Sequence, residues 1–187
     1  MTIIVNILGA PSAGKSIAAM RTTCDLRVKG VSVEYCNEVA KSFVFEHRKK
    51  ALTCQPYIYG KQLKNMESLM GEVDVIVTDS PLILSSYYNL RNCPGRYPAI
   101  FDTLVAEHWK ALGGLTFFLH RAHAYDPIGR YQSEEEANEI SLELLELGRK
   151  HMPVIEMLGD DEAPSKIAAR VLTEIGLKSE IPTIRRL

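Results

Sequence analysis

The sequence predicts an α/β fold with a five-stranded parallel sheet covered by helices on both faces, and three observations carry that expectation. Short apolar runs of strand length alternate with helix-periodic segments along the whole chain. The run at 115–119 has one polar residue in five, as a strand buried on both faces should. The first run leads straight into a glycine-bearing loop and then a helix, the order in which a strand delivers a loop to a sheet's carboxyl edge. At 187 residues the chain suits a single domain, 1–187, large enough to bury a full core.

The elements follow in order. Residues 2–8 form the first strand. From Lys15 to Lys29, Ile17, Met20, Cys24 and Val28 recur at helical spacing, and Gly30 supplies the stop. A short second strand covers 31–35, and a helix is expected over about 38–52. Pro56 suits the first turn of another helix, whose stripe is Tyr59, Leu63, Met66 and Met70. The third strand is 73–79, ending on the carboxylate of Asp79. Residues 98–112 carry Phe101, Leu104, Val105, His108 and Leu112 on one helical face, and Gly113-Gly114 ends that helix. The fourth strand is 115–119. Ser133-Glu134-Glu135-Glu136 is a capping box opening a helix with Ala137, Ile140, Leu144 and Leu147 inward. A last strand at 154–158 and a last helix at 163–175 complete the pattern. The tail from Lys178 to Leu187 has little periodicity and is expected to be loosely held.

The loop after the first strand is the most informative segment. Gly9-Ala10-Pro11-Ser12-Ala13-Gly14-Lys15-Ser16 fits G-x-x-x-x-G-K-[ST] at every fixed position. Its glycines let successive backbone N–H groups turn inward around a phosphate, while the next helix presents its positive dipole end to the same anion. Lys15 is expected to reach the β- and γ-phosphates of ATP, and the Ser16 hydroxyl to hold Mg²⁺, with Ile17 completing the cradle.

The other strand ends collect polar groups. Asp79 is read as serving the metal, its water or an acceptor hydroxyl, against a bland role capping the turn before Pro81. Glu34 and Glu38 flank the end of the second strand, where one of them could accept a proton or hold a ribose; solvated charges are the alternative. Tyr35 is a candidate for stacking on a ring, and Gln62 for contacting a base edge, with core packing and a structural amide as their plain counterparts. Arg121, Tyr125 and Arg130 lie in a segment bearing Pro127 and Gly129, the composition of a lid whose arginines could neutralise a transferred phosphoryl group. Asp160 follows the fifth strand, where an adenine would sit. The basic run His47-Arg48-Lys49-Lys50 reads as a solvated face. His108 reads as packed, and His120 and His123 lack a third ligand at metal spacing, so no zinc site is expected.

Composition narrows the classes. Net charge is −1, so there is no global basic field of the kind non-specific DNA binders carry, although a local groove stays open. Cys24, Cys36, Cys54 and Cys93 share no C-x-x-C spacing, which favours reduced thiols and a cytoplasmic location. No run has signal-peptide character or membrane-spanning length.

Taken together, GAPSAGKS, VEYCNEVAKSF, QPYIYGKQ, VIVTDSPL and YDPIGRYQSEEEA resemble the P-loop kinases that include ribosylnicotinamide kinase domains and phage nucleotide-kinase-like proteins. The resemblance spans roughly residues 2–158. It implies sheet order 2-3-1-4-5, ATP-Mg²⁺ at Gly9 to Ser16, an acceptor alcohol near Glu34, Glu38 and Asp79, and Arg121 and Arg130 on a lid. No adenylyltransferase segment accompanies it, and Asp79 is followed by Ser-Pro rather than by the Asp-Arg of thymidylate kinases. The implied activity is phosphoryl transfer to a nucleoside-type hydroxyl, with free nucleoside or nucleotide ahead of a 5-hydroxymethylpyrimidine in DNA. A reading of another class is an ATPase or switch module with no acceptor.

Overall fold

The computed structural model describes residues 2–128 and 132–176; Arg130 and the 178–187 tail lie outside that range. Five parallel strands form one sheet: β1 (Ile3–Leu8), β2 (Val33–Cys36), β3 (Val75–Thr78), β4 (Leu115–His120) and β5 (Val154–Leu158). Their order is β2-β3-β1-β4-β5. The arrangement is consistent with a P-loop NTPase-like fold. β1 sits at the centre, with Val5 opposite Val77 on one side and Leu115 on the other.

The two faces of β1 show why helices cover both sides. Ile4 and Leu8 pack with Ile76 and Phe118 beneath α4 (Gln55–Glu67), α5 (Ile83–Asn92), α6 (Ile100–Leu112) and α7 (Glu134–His151). Val5 and Ile7 pack with Val77, Phe117 and Leu119 beneath α1 (Lys15–Val28) and α8 (Ala163–Glu174). Between them Asn6 is fully buried, accepting from Trp109 Nε1 at 3.2 Å. Gly114 has φ 98°, and a Cβ there would stand 2.1 Å from the Ile4 carbonyl oxygen, so the α6–β4 turn requires glycine. The Ser133–Glu136 capping box forms, and Ala137, Ile140 and Leu144 face the core.

Several expectations are corrected. The expected helix over 38–52 is two pieces, α2 (Val39–Phe45) and α3 (Lys49–Leu52). His47, at φ 55°, ends α2 while Arg48 N donates to Phe43 O and His47 N to Val44 O. That is a Schellman closure with histidine where glycine is usual, which hid the stop from the sequence. α5 was not anticipated at all. α1 turns a different stripe inward: Ala18, Ala19, Thr22 and Leu26 are buried, whereas Ile17, Met20, Cys24 and Val28 face outward. On α6 the buried face is Phe101, Val105, Ala106 and Trp109, with Leu104 exposed, because Trp109 must reach Asn6. On α4, Met70 lies beyond the helix end and is partly exposed. Among the described residues, no helix is long and apolar enough to cross a membrane.

Candidate active site

The loop from Gly9 to Ser16 leaves β1 at the carboxyl edge and curls into α1. Ser12 at φ 66° and Gly14 at φ 81° alternate with ordinary residues, the geometry that turns consecutive N–H groups toward one anion. Close packing holds the curl in place. A Cβ on Gly9 would lie 2.7 Å from Leu119 O, and one on Gly159 would lie 2.2 Å from Ala13 O. The loop is therefore wedged between the ends of β4 and β5. Ala10 is turned into the core; its carbonyl accepts from Lys15 Nζ at 2.8 Å. Lys15 thus folds back over the curl, with its ammonium beside the backbone donors.

Asp79 follows β3 directly and is 1% exposed. Ser16 Oγ donates to Asp79 Oδ2 at 2.5 Å, and Oδ1 is buried with no protein partner. Burial, then the nearby charges of Asp79 and Glu38, raise the pKa of the Tyr35 hydroxyl well above the usual tyrosine range. Burial and the Asp79 charge push the Cys36 thiol up to about 11. This constellation fits Mg²⁺. A hard cation that sheds water reluctantly needs only one or two protein oxygens beside phosphate and water, and Ser16 with the orphaned Asp79 oxygen offers them. Among the described residues no group of three or more His, Cys, Asp or Glu could hold a metal.

A cavity of about 620 Å³ runs from the loop past Glu38 to the inner face of α5. One wall is Gly9, Pro11, Ser12, Ala13, Gly14, Lys15, Ser16 and Ile17. The opposite wall includes Glu38, Gln62, Ser85, Tyr88, Arg91 and Asn92. Ile17, exposed on α1, belongs to the cavity's rim. Burial, then the Glu38 charge, raise the pKa of Tyr88 above its ordinary value, so it stays a neutral hydroxyl donor. Arg91 is held by ion pairs to Glu139 at 3.1 Å and Glu143 at 2.7 Å, both from α7.

The expected residues divide. The cradle, Ser16, Asp79, Tyr35 and Glu38 come together. Gln62 lines the cavity, but its amide is committed to the scaffold. Oε1 accepts from Val39 N at 3.2 Å, and Nε2 reaches Cys36 Sγ and Thr78 Oγ1 at 3.5 Å. Glu34 does not line the cavity: it is exposed on edge strand β2 and pairs with Arg27 of α1 at 2.6 Å. Asp160 is also outside: Oδ1 accepts from Glu162 N and Ala163 N at 3.0 Å, fixing the turn into α8. Arg121 is off the cavity wall, paired to Glu134 at 2.9 Å, bonded to Asn138 at 2.8 Å and stacked over the Tyr125 ring. Tyr125 does not line the cavity; its hydroxyl donates to Gln132 O at 2.5 Å. Arg130 lies outside the described residues. The segment nevertheless touches the cradle, for Asp126 N donates to Ser12 Oγ at 2.9 Å.

The α5 contribution was missed. Leu84, Ser85, Tyr88, Arg91 and Asn92 recur at helical spacing, which is the signal that could have revealed it. No family model and no curated protein matches the chain.

Proposed function

We propose that the chain is an ATP-dependent phosphotransferase that moves the γ-phosphoryl group to a hydroxyl of a nucleoside-type acceptor. The observation that carries this reading is the continuity of one cavity from the phosphate-type loop to a second polar wall on α2 and α5. A hydrolase or switch needs only room for water beyond the terminal phosphate. Here a chamber large enough for a nucleoside unit adjoins it.

In this reading the loop N–H groups and Lys15 bind and orient the triphosphate. Ser16 and Asp79 would hold Mg²⁺, which when bound supplies charge neutralisation on the phosphate oxygens. The acceptor oxygen bonds to the γ-phosphorus as the bond from that phosphorus to the β–γ bridging oxygen breaks, and ADP leaves with the electron pair. The hydroxyl proton passes to a carboxylate. Glu38 suits that role better than Asp79, because Glu38 lines the cavity while Asp79 lies behind Ser16. Asp126 and its neighbours, resting on Ser12, exclude water from the cradle.

The test is incubation with γ-labelled ATP and a panel of nucleosides, nucleotides and hydroxymethylated DNA. Label is expected on an acceptor, and Lys15→Ala is expected to abolish its transfer. Release of free phosphate with no acceptor labelled in any class would favour the hydrolase reading; absence of ATP binding would end both.

A further inference from the structure

The basic run at 47–50 takes no part in the chemistry above, yet it lies in the chain between Phe45 and Leu52, which line the cavity. We propose that this face binds a single-stranded nucleic acid, so that the acceptor nucleoside enters the cavity as one unit of a strand. Only that last clause, about what enters, rests on the phosphotransferase reading; the surface itself stands on charge and shape.

The segment 39–66 holds six lysines and arginines against one acid, +5 within a chain whose net charge is −1. Two of the cations lie against aromatic rings. Lys61 Nζ lies 5.1 Å from the Tyr57 ring centre and 5.7 Å from that of Phe43, and Arg48 lies 5.0 Å over Phe43. Phe43 and Tyr57 stack at 5.9 Å, and Tyr57 is 41% exposed. Phe45, 59% exposed, lines the cavity together with Lys41 one turn before it. Arg96 extends the face by donating to Thr53 at 2.6 Å, next to exposed Lys50. Glu46, paired with Arg48 at 3.1 Å, is the acid that offsets it.

Cations alone would suit any polyanion. Two exposed rings, Tyr57 and Phe45, the latter lining the cavity, suit a strand whose bases are unstacked and free to lie on an aromatic face. A duplex offers phosphates but no free base faces, and a lipid surface offers no base at all.

The experiment is fluorescence anisotropy with the full-length protein and a labelled 20-nucleotide oligo-dT, repeated across salt concentrations. Five cations on phosphates predict a slope of log affinity against log salt of about −3.5, or roughly a hundredfold loss from 50 to 200 mM. Arg48→Ala/Lys50→Ala/Lys61→Ala is expected to cut that to roughly sevenfold. Phe45→Ala is expected to weaken binding roughly tenfold with the slope unchanged. The charge-keeping variant Arg48→Lys/Lys61→Arg, expected to retain the slope, separates loss of charge from loss of folding. A slope near zero, equal binding by the triple alanine variant, or tighter binding to phosphatidylserine vesicles than to the strand would overturn the proposal. Lys15→Ala is expected to bind the strand normally. ATP binding without strand binding would therefore refute this surface alone, and strand binding without ATP binding the phosphotransferase reading alone.

Discussion

Gly159 sits outside the G-x-x-x-x-G-K-[ST] pattern, yet the phosphate-type loop leans on it. A Cβ at this position would meet Ala13 O at 2.2 Å and His120 O at 3.2 Å, where ordinary contact begins near 3.4 Å. Both obstacles are backbone, so Gly159→Ala must move the loop, the β5 end, or both, by about 1 Å in total. Overpacking of this kind costs about 1–3 kcal/mol, a fall in melting temperature of roughly 2–12 °C at this chain length. Because Ala13 is part of the cradle, the larger effect falls on function: a 1 Å misplacement of positioning groups costs about 10²-fold in turnover. Calorimetric melting, ATP titration and steady-state turnover read the three consequences separately. Gly60→Ala is the control, since a Cβ there meets nothing within 4 Å and the site is inside α4, where alanine stabilises by about 0.5–1 kcal/mol. If Gly159→Ala bound ATP and turned over within twofold of the unaltered protein, either the cradle is not the site or its shape does not depend on β5.

Two further outcomes bear on Asp79 and its neighbours. Asp79→Asn is expected to lower turnover at least about 10²-fold while ATP affinity changes by less than about fivefold; equal loss of both, in paired kinetic and binding measurements, would mean Asp79 holds the ground state instead. With its pKa near 11, the Cys36 thiol is about one part in a thousand thiolate at pH 8, so alkylation followed by mass spectrometry should modify exposed Cys24 first and spare Cys36. The folded pKa lies above the ordinary value of 9.0, so the neutral thiol's contribution is present below pH 9 and is lost as pH rises through about 11. Part of that elevation comes from Asp79, so Asp79→Asn should bring the onset of Cys36 alkylation to lower pH.

The sheet and the cradle were legible because both are written locally. Five apolar runs mark the strands, and Gly9, Gly14 and Lys15 fall at fixed spacing after the first. Glu34 was misread because two carboxylates four residues apart look alike in sequence, whereas Glu34 is exposed on the edge strand and held by Arg27, and the chain's turn into α2 brings Glu38 to the cavity. Asp160 was misread for a different reason: it does follow the fifth strand, but its oxygen is consumed by two backbone donors. α5 escaped notice because its residues serve two masters. Ile83 and Tyr87 pack in the core while Ser85, Tyr88 and Asn92 face the cavity, leaving little of the polar outer stripe by which an amphipathic helix is recognised.

α1 carries the deeper point about such elements. Its bulky residues Ile17, Met20 and Val28 repeat at helical spacing, and a rule that large apolar side chains go inward would bury them. The helix starts from a loop wedged between β4 and β5, however, and Ser16 must meet Asp79 while Lys15 reaches back to Ala10. Those two contacts fix the helix's rotation before any packing is considered. The inward face is then Ala18, Ala19 and Thr22, small enough for the helix to lie close against the sheet and for Thr22 Oγ1 to reach Pro164 O on α8 at 3.3 Å. Ile17 is left 61% exposed and Val28 86% exposed. Where polar contacts at one end of a helix fix its rotation, hydrophobic periodicity yields to them, as on α1.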